Sequence, residues 1–204
     1  MAAKKQNLVI LQGETFQRVI RWEVLPYVYK AISAITQTAP VAITATAHGM
    51  ASGWRAAVVS VKGMTEINAK HSIPRESEFH QVSVSGANTL TINDINSSEY
   101  SLYTSGGYLQ YFTPVDIAGY SARMTIKDRV GGTTLMSLTN GAPDNRIVLD
   151  NTNHTITITI AAADTPASLL TWTKGVYDLE MVSGAGTVTR IFTGSVSVLK
   201  EVTT

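Results

Sequence analysis

Isoleucine and threonine alternate without a break from Thr155 to Ile160. In a β-strand, this period of two places the apolar side chains on one face and the polar side chains on the other. Similar alternation runs through residues 120–127 and 195–198, and more weakly through 16–24. These segments predict strands with one buried face each, and therefore an all-β protein.

Two β-hairpins are predicted from apolar runs that flank a turn. One joins residues 82–84 to 90–92, and the other joins Tyr177–Val182 to Val188–Gly194. Further turns rich in glycine separate short runs along the rest of the chain. Many short strands at such intervals are typical of a β-sandwich or a β-barrel.

One helical signal follows Asp164, which can cap the backbone N–H groups of a turn that begins at Thr165–Pro166. We expect Leu169, Leu170 and Trp172 to face the core beyond it. The expected helical content is at most one or two short turns.

The composition argues against several classes of protein. The chain has 16 basic and 15 acidic residues, a net charge of +1 and no cysteine. Balanced charge does not suit a nucleic-acid-binding arm, and the missing cysteine excludes disulfide scaffolds and Cys-ligated metal sites. No apolar run approaches the roughly 20 residues of a membrane helix. We therefore expect a protein made in a cytoplasm, with no membrane partner and no specific nucleic-acid partner.

The histidines that could support catalysis or bind metal are scattered along the sequence. His48 precedes Gly49 in a predicted turn, and we expect backbone groups to satisfy its ring. His71 and His80 would form a metal pair only if two strands brought them together. No Gly-x-Ser-x-Gly nucleophile elbow and no zinc-protease motif is present.

Two acidic segments offer weaker candidates. Glu76 and Glu78 could act as the paired carboxylates of a glycosidase, but the neighbouring Arg75 favours solvated charges in a polar loop. Asp94 begins a segment like a calcium loop, which then lacks the glycine and glutamate that such a loop requires. We therefore expect no enzymatic activity, no cofactor and no metal site.

Aromatic residues crowd the stretch that ends at Phe112. Tyrosine combines apolar area with a hydroxyl group, which suits subunit interfaces and stacking on sugars. Alternation along this stretch would bury part of the set, so its tyrosines are either barrel core or interface residues. The candidate interface residues are Tyr100, Tyr103, Tyr108 and Tyr111.

Arg123, Lys127 and Arg129 are predicted to share the polar face of one strand. That face could contact an acidic partner subunit or DNA, or it could be solvated, with Asp128 nearby. Non-specific DNA binding needs several phosphate contacts, and a net charge of +1 provides little attraction. We keep these three residues as candidate interface residues.

The segment Asp116–Lys127, which reads DIAGYSARMTIK, resembles a strand of small phage and prophage tail or baseplate proteins. These include the N-terminal domain of siphophage upper baseplate proteins. An opening strand near Gln12–Phe16 also fits this family. Further segments match it in the same order: Ile156–Ile160, Asp164–Leu169, Tyr177–Glu180, Val188–Gly194, Val196–Val198 and Val202–Thr203.

A second resemblance lies in the middle of the chain. Its motifs are similar to those of small β-barrel inserts in phage structural proteins, which in turn resemble one domain of ubiquitin-activating enzymes. The motifs are Ala45–Met50, Gly63–Asn68, Ser98–Tyr100 and Tyr103–Gly107. At Trp54–Arg55 the chain departs from the related inserts, which usually place an acidic residue after the glycine.

Together the resemblances imply a β-sandwich of the Ig-like or baseplate type, formed by residues 1–34 and 113–204 and interrupted by a small β-barrel at 35–112. The implied function is that of a virion structural protein, an adaptor in a phage tail, baseplate or neck. It would be assembled in the host cytoplasm into a symmetric homo-oligomeric ring that holds other phage structural proteins. The alternatives are capsid decoration and a module that binds host-surface glycans.

Overall fold

The computed structural model describes residues 3–166 and 170–201, and it confirms an all-β fold. The strands of the described residues, in chain order, are β1 (Lys4–Lys5), β2 (Leu8–Leu11), β3 (Phe16–Ile20), β4 (Glu23–Ala31), β5 (Ala34–Ile35), β6 (Val41–Thr44), β7 (Arg55–Lys62), β8 (His80–Gly86), β9 (Thr89–Ile92), β10 (Ser105–Pro114), β11 (Ser121–Lys127), β12 (Thr134–Thr139), β13 (Ile147–Asp150), β14 (Thr155–Ile160), β15 (Lys174–Val182) and β16 (Val188–Leu199).

The chain divides into two compact units. The outer unit comprises Met1–Trp22 and Pro114–Thr204, and the inserted unit comprises Glu23–Thr113. The first boundary therefore follows Trp22 and not residue 34, because β4 pairs with β10 inside the sheet of the inserted unit. Within the outer unit, the backbone N–H of Val115 donates to the carbonyl oxygen of Trp22 at 2.9 Å. The chain thus leaves and re-enters the outer unit at neighbouring points.

The outer unit is a β-sandwich. In the described residues, its large sheet has the order β1-β16-β15-β11-β12, with β2 also paired to β16, and its small sheet has the order β13-β14-β3. Alternation gives each sheet one apolar face, and these faces share one core. Its fully buried members include Met124 and Ile126 from β11, Leu179 from β15, and Ile156 and Ile160 from β14.

The N-terminal strands pair in parallel with the last strand of the large sheet. Lys4 lies opposite Phe192 and Leu8 lies opposite Val196, so β1 and β2 extend the same edge of β16. Between them, the carbonyl oxygen of Gln6 accepts a hydrogen bond of 2.9 Å from the hydroxyl of Tyr177. Burial raises the pKa of Tyr177 to about 12.

The inserted unit is a closed barrel. Its sheet, in the described residues, has the order β4-β10-β7-β8-β9-β6-β5. The two end strands, β4 and β5, are consecutive in the chain. Between them, the N–H of Ile32 donates to the carbonyl oxygen of Gly107 on β10 at 3.0 Å, and the N–H of Ser33 donates to that of Thr44 on β6 at 2.9 Å. One bent segment therefore bonds to both edges and closes the sheet.

Three short 3₁₀ turns occur among the described residues: Thr65–Ile67, Glu76–Glu78 and Ala162–Asp164. This exceeds the expected one or two, because two of them lie in barrel loops that show no helical pattern. Asp164 ends the third of these turns, where its carboxylate accepts from the N–H of Ala161 at 2.8 Å. The turn predicted to begin at Thr165–Pro166 continues into residues 167–169, which lie outside the described residues. None of the described helical segments is long and apolar enough to span a bilayer.

The predicted apolar contacts beyond Asp164 are found in part. Leu170 and Trp172 pack against the sandwich core. Leu169 lies outside the described residues.

Candidate functional site

The aromatic residues of β10 divide between the inside and the outside of the barrel. Leu109 and Tyr111 point inward, whereas Tyr108 and Phe112 point outward. The hydroxyl of Tyr111 donates to the carbonyl oxygen of His48 at 2.7 Å, and burial raises the pKa of this tyrosine. Tyr111 is 5% exposed. It is therefore a core residue, and its candidacy as an interface residue is corrected.

Tyr100 and Tyr103 are half-buried residues that pack against the barrel core. The hydroxyl of Tyr103 lies 3.0 Å from the carbonyl oxygen of Ile32 and 3.1 Å from that of Gly106, and its single proton is shared between these two acceptors. The backbone carbonyl of Tyr100 accepts from the amide of Gln37. These hydrogen bonds anchor the loop that precedes β10. Because both rings also pack against the barrel core, both residues have a structural role.

Tyr108 belongs to a connected series of rings on the outside of the barrel, which we call the aromatic strip. Tyr108 contacts Tyr29 edge-on with centroids 6.2 Å apart, and Tyr29 contacts Tyr27 at 6.5 Å. Tyr27 continues to Phe112 at 4.7 Å, and Phe112 to Phe79 at 5.2 Å. Offset and edge-on contacts of this kind stabilise ring pairs beyond the area that they bury.

The aromatic strip changes from buried to exposed along its length. Phe79 is 7% exposed at one end, whereas Tyr29 and Tyr108 are 53% and 45% exposed at the other. Leu25, on the same strand as Tyr27 and Tyr29, is 63% exposed. Contiguous exposed apolar area on a rigid sheet is typical of an interaction surface. Sequence reasoning missed Tyr27 and Tyr29, although their spacing of two along the strand is the signal that could have found them.

Arg123, Lys127 and Arg129 line one groove of about 280 Å³ on the outward face of the large sheet. We call it the cationic groove. The prediction that all three share one strand is wrong for Arg129, because β11 ends at Lys127. Arg129 lies in the turn that follows, and this turn brings its side chain to the groove together with Val130. Val176 and Glu180 of the adjacent strand β15 lie beside the two β11 residues on the same face of the sheet.

Acidic residues on β15 neutralise part of the charge in the cationic groove. Arg123 pairs with Glu180 at 2.8 Å, and Arg190 pairs with Asp178 at 3.3 Å. Arg129 pairs with its neighbour Asp128 at 2.9 Å. Lys127 forms no ion pair with any of the described residues. The end of the groove near the β11–β12 turn therefore keeps an excess of positive charge.

The ring of His48 is satisfied by backbone, as the sequence predicted. Its Nδ1 accepts from the N–H of Met50 at 3.0 Å, so its Nε2 carries the proton and donates to the carbonyl oxygen of Gly86 at 3.0 Å. Both nitrogens are thus engaged inside the barrel. His48 therefore holds this turn of the barrel in place.

The other candidates for chemistry are engaged in separate pairs. His71 contacts Glu78 at 3.0 Å, and His80 contacts Asp94 at 2.8 Å, so each histidine faces its own carboxylate. Glu76 pairs with Arg55 at 3.3 Å, apart from Glu78. Within residues 3–166 and 170–201, no three His, Asp or Glu side chains are grouped so that they could hold a metal ion.

Fold and geometry thus define an all-β protein whose outward faces carry an aromatic strip on one unit and a cationic groove on the other. No protein-family model matches the sequence, and no match to a curated protein is found. Any assignment of function therefore rests on the chain's own residues.

Proposed function

We propose that the chain is a structural component of a phage particle, an adaptor of the tail, baseplate or neck that assembles in a symmetric ring and holds neighbouring subunits. Its location would be the virion, and its partners would be other phage structural proteins and further copies of itself. The role requires rigid shape and complementary surfaces and no reacting group.

The observation that carries the proposal is where the resembling segments lie. Residues Asp116–Lys127, Tyr177–Glu180 and Val188–Val198 contribute β11, β15 and β16, which are adjacent strands of the large sheet. Segments that are distant in sequence thus build one continuous surface. A further resembling segment, Ile156–Ile160, lies in β14 of the small sheet, so the resembling segments contribute to both sheets of the sandwich.

The surfaces suit a protein that works by contact. The cationic groove offers charged side chains on hydrogen-bonded strands, and the aromatic strip offers exposed rings backed by buried ones. The backbone of a sheet is already ordered before binding, so association loses little backbone freedom.

Cryo-electron microscopy of particles from the phage or prophage that encodes the chain tests the proposal. The expected result is density for both β units, repeated by the ring symmetry, with neighbouring subunits seated on one or both surfaces. Quantitative mass spectrometry of the same particles should find a fixed copy number. Absence of the protein from purified particles would overturn the proposal.

A second candidate is a module that binds host-surface glycans or decorates a capsid. The exposed rings of Tyr29 and Tyr108 favour it, because sugar rings stack on tyrosine. A glycan array probed with the full chain distinguishes the two. Binding that is lost in a Tyr29→Ala/Tyr108→Ala variant would support the glycan module, and a silent array would leave the adaptor as the better account.

A further inference from the structure

The charge of the cationic groove is arranged in rows across the sheet. In one row Glu180 lies between Arg123 on β11 and Arg190 on β16, and in the next Asp178 lies between two threonines. In the third row Lys127 lies opposite Val176. The two acidic residues therefore lie in the first and second rows, and the third row, which contains Lys127, has none.

The third row and the adjoining turn combine positive charge with exposed apolar area. Lys127 has no ionic partner within the described chain, and Arg129 is bound only to the adjacent Asp128, with its side chain 79% exposed. Val130, at the tip of the turn, is 90% exposed. Val176, the cross-strand neighbour of Lys127, adds apolar area on the same face.

We infer that this end of the groove is the docking site for an extended acidic segment of a neighbouring subunit, with carboxylates at Lys127 and Arg129 and an apolar side chain against Val130 and Val176. Charge complementarity selects this occupant. The acidic side chains of β15 already have arginine partners. By the turn, Lys127 has no ionic partner among the described residues, and Arg129 has only its exposed pair with Asp128. A basic or purely apolar segment would leave that charge uncompensated. The inference names the partner chemistry for the proposed adaptor function and rests on it.

Fluorescence anisotropy with the purified full chain tests the inference directly. The probe is a labelled peptide of alternating glutamate and valine, and the comparison peptide has lysine in place of glutamate. We expect binding of the acidic peptide alone, weakened as salt rises from about 0.05 M to about 0.5 M. The double variant Lys127→Glu/Arg129→Glu should bind the acidic peptide about tenfold more weakly or worse.

The matched control is Lys62→Glu/Lys70→Glu, which makes the same change in net charge at exposed lysines of the inserted unit. It should bind like the unchanged chain. The milder Lys127→Gln/Arg129→Gln variant provides a second measurement if charge reversal disturbs folding, and it should also weaken binding.

Two results would overturn the inference: no binding of the acidic peptide, or equal loss in the groove variants and the lysine control. Neither depends on finding the chain in particles. Failure of the docking site is therefore distinguishable from failure of the adaptor function.

Discussion

The backbone carbonyl of Gln6 occupies the space beside Gly194 that a Cβ atom would need. The contact lies where β1 and β2 both run along β16, between the pairs Lys5–Thr193 and Leu8–Val196. The N-terminal segment can follow the edge of the large sheet because residue 194 has no side chain. Glycine is therefore required sterically at position 194, the end of the segment Val188–Gly194.

Replacing Gly194 by alanine should destabilise the outer unit by about 1–3 kcal/mol, because the added methyl group forces the N-terminal strands away from β16. Hydrogen exchange should show faster exchange in β1, β2 and β16 while the barrel is unchanged. Gly141→Ala is the matched control, since a Cβ at Gly141 meets no atom within 4 Å. Equal protection in both variants would contradict the steric role.

Removing the hydroxyl of Tyr111 should destabilise the inserted unit by about 1–2 kcal/mol, because Tyr111→Phe leaves the carbonyl oxygen of His48 without this donor in the core. Denaturant unfolding followed by exchange at barrel amides measures the effect. Tyr108→Phe is the control, since the hydroxyl of Tyr108 has no hydrogen-bond partner in the described residues. Its effect should be within about 0.5 kcal/mol.

The stability of the inserted unit should depend on pH in the acidic range because of Glu78. The N–H groups of Arg75 and Lys70 donate to its carboxylate at 2.7 and 2.6 Å, and His71 adds a further contact. These contacts, that of Arg75 foremost, lower the pKa of Glu78 from 4.5 to about 2.

Because the folded-state pKa of Glu78 lies below its unfolded value, the stability that its ionised form contributes is complete above about pH 4.5 and is lost as the pH falls towards 2. Glu78→Gln should reduce this dependence in unfolding measured from pH 7 downward. Glu99→Gln, at an exposed residue with no partner in the described chain, should leave it intact. An unchanged pH profile for Glu78→Gln would refute the assignment.

Arg146 joins two acidic residues at the rim of the sandwich. It pairs with Asp144 at 2.9 Å and with Asp164 at 2.6 Å, and its side chain is 32% exposed. Arg146→Leu should cost the outer unit about 1–2 kcal/mol, between the values for surface and buried pairs. Arg129→Leu, which breaks the more exposed pair with Asp128, should cost less than about 0.5 kcal/mol. Thermal unfolding of the two variants compares them.

If neighbouring subunits sit on the aromatic strip, the variant Tyr29→Ala/Tyr108→Ala should fold normally and enter particles about tenfold less efficiently. Ile73→Ala/Leu102→Ala removes two exposed apolar side chains, 71% and 69% exposed, that do not belong to the strip. This control should be incorporated like the unchanged chain. Mass spectrometry of purified particles measures the copy number of each variant. Equal incorporation of the two variants would show that the strip does not contact a neighbour.

Local alternation predicted the strands and hairpins that pair with sequence neighbours. Val82 lies opposite Ile92 and Val84 opposite Leu90, as the predicted hairpin requires, and Val182 lies opposite Val188 in the other. The strand β14 has the predicted bounds because isoleucine and threonine alternate through all of it. In each case one face is buried, so a shift of one residue would reverse every side chain.

Local alternation could not predict contacts between residues that are distant in sequence. The parallel pairing of Leu8 with Val196 joins the two ends of the chain, and no local pattern encodes it. The same holds for the closing of the barrel at Ile32 and for the turn that carries Arg129 to the cationic groove. The strand β4 was not predicted beyond Val24, and its Pro26 interrupts the run of alternating residues. The predicted boundary at residue 34 came from the resemblances and not from this pattern.

The hydrogen bond between Val115 and Trp22 joins the two points at which the chain leaves and re-enters the outer unit. A short linker or an unrelated domain of similar end-to-end spacing could therefore replace residues 23–113 without rebuilding the sheets of the sandwich. Substitutions in the inserted unit then need not alter the folding of the sandwich.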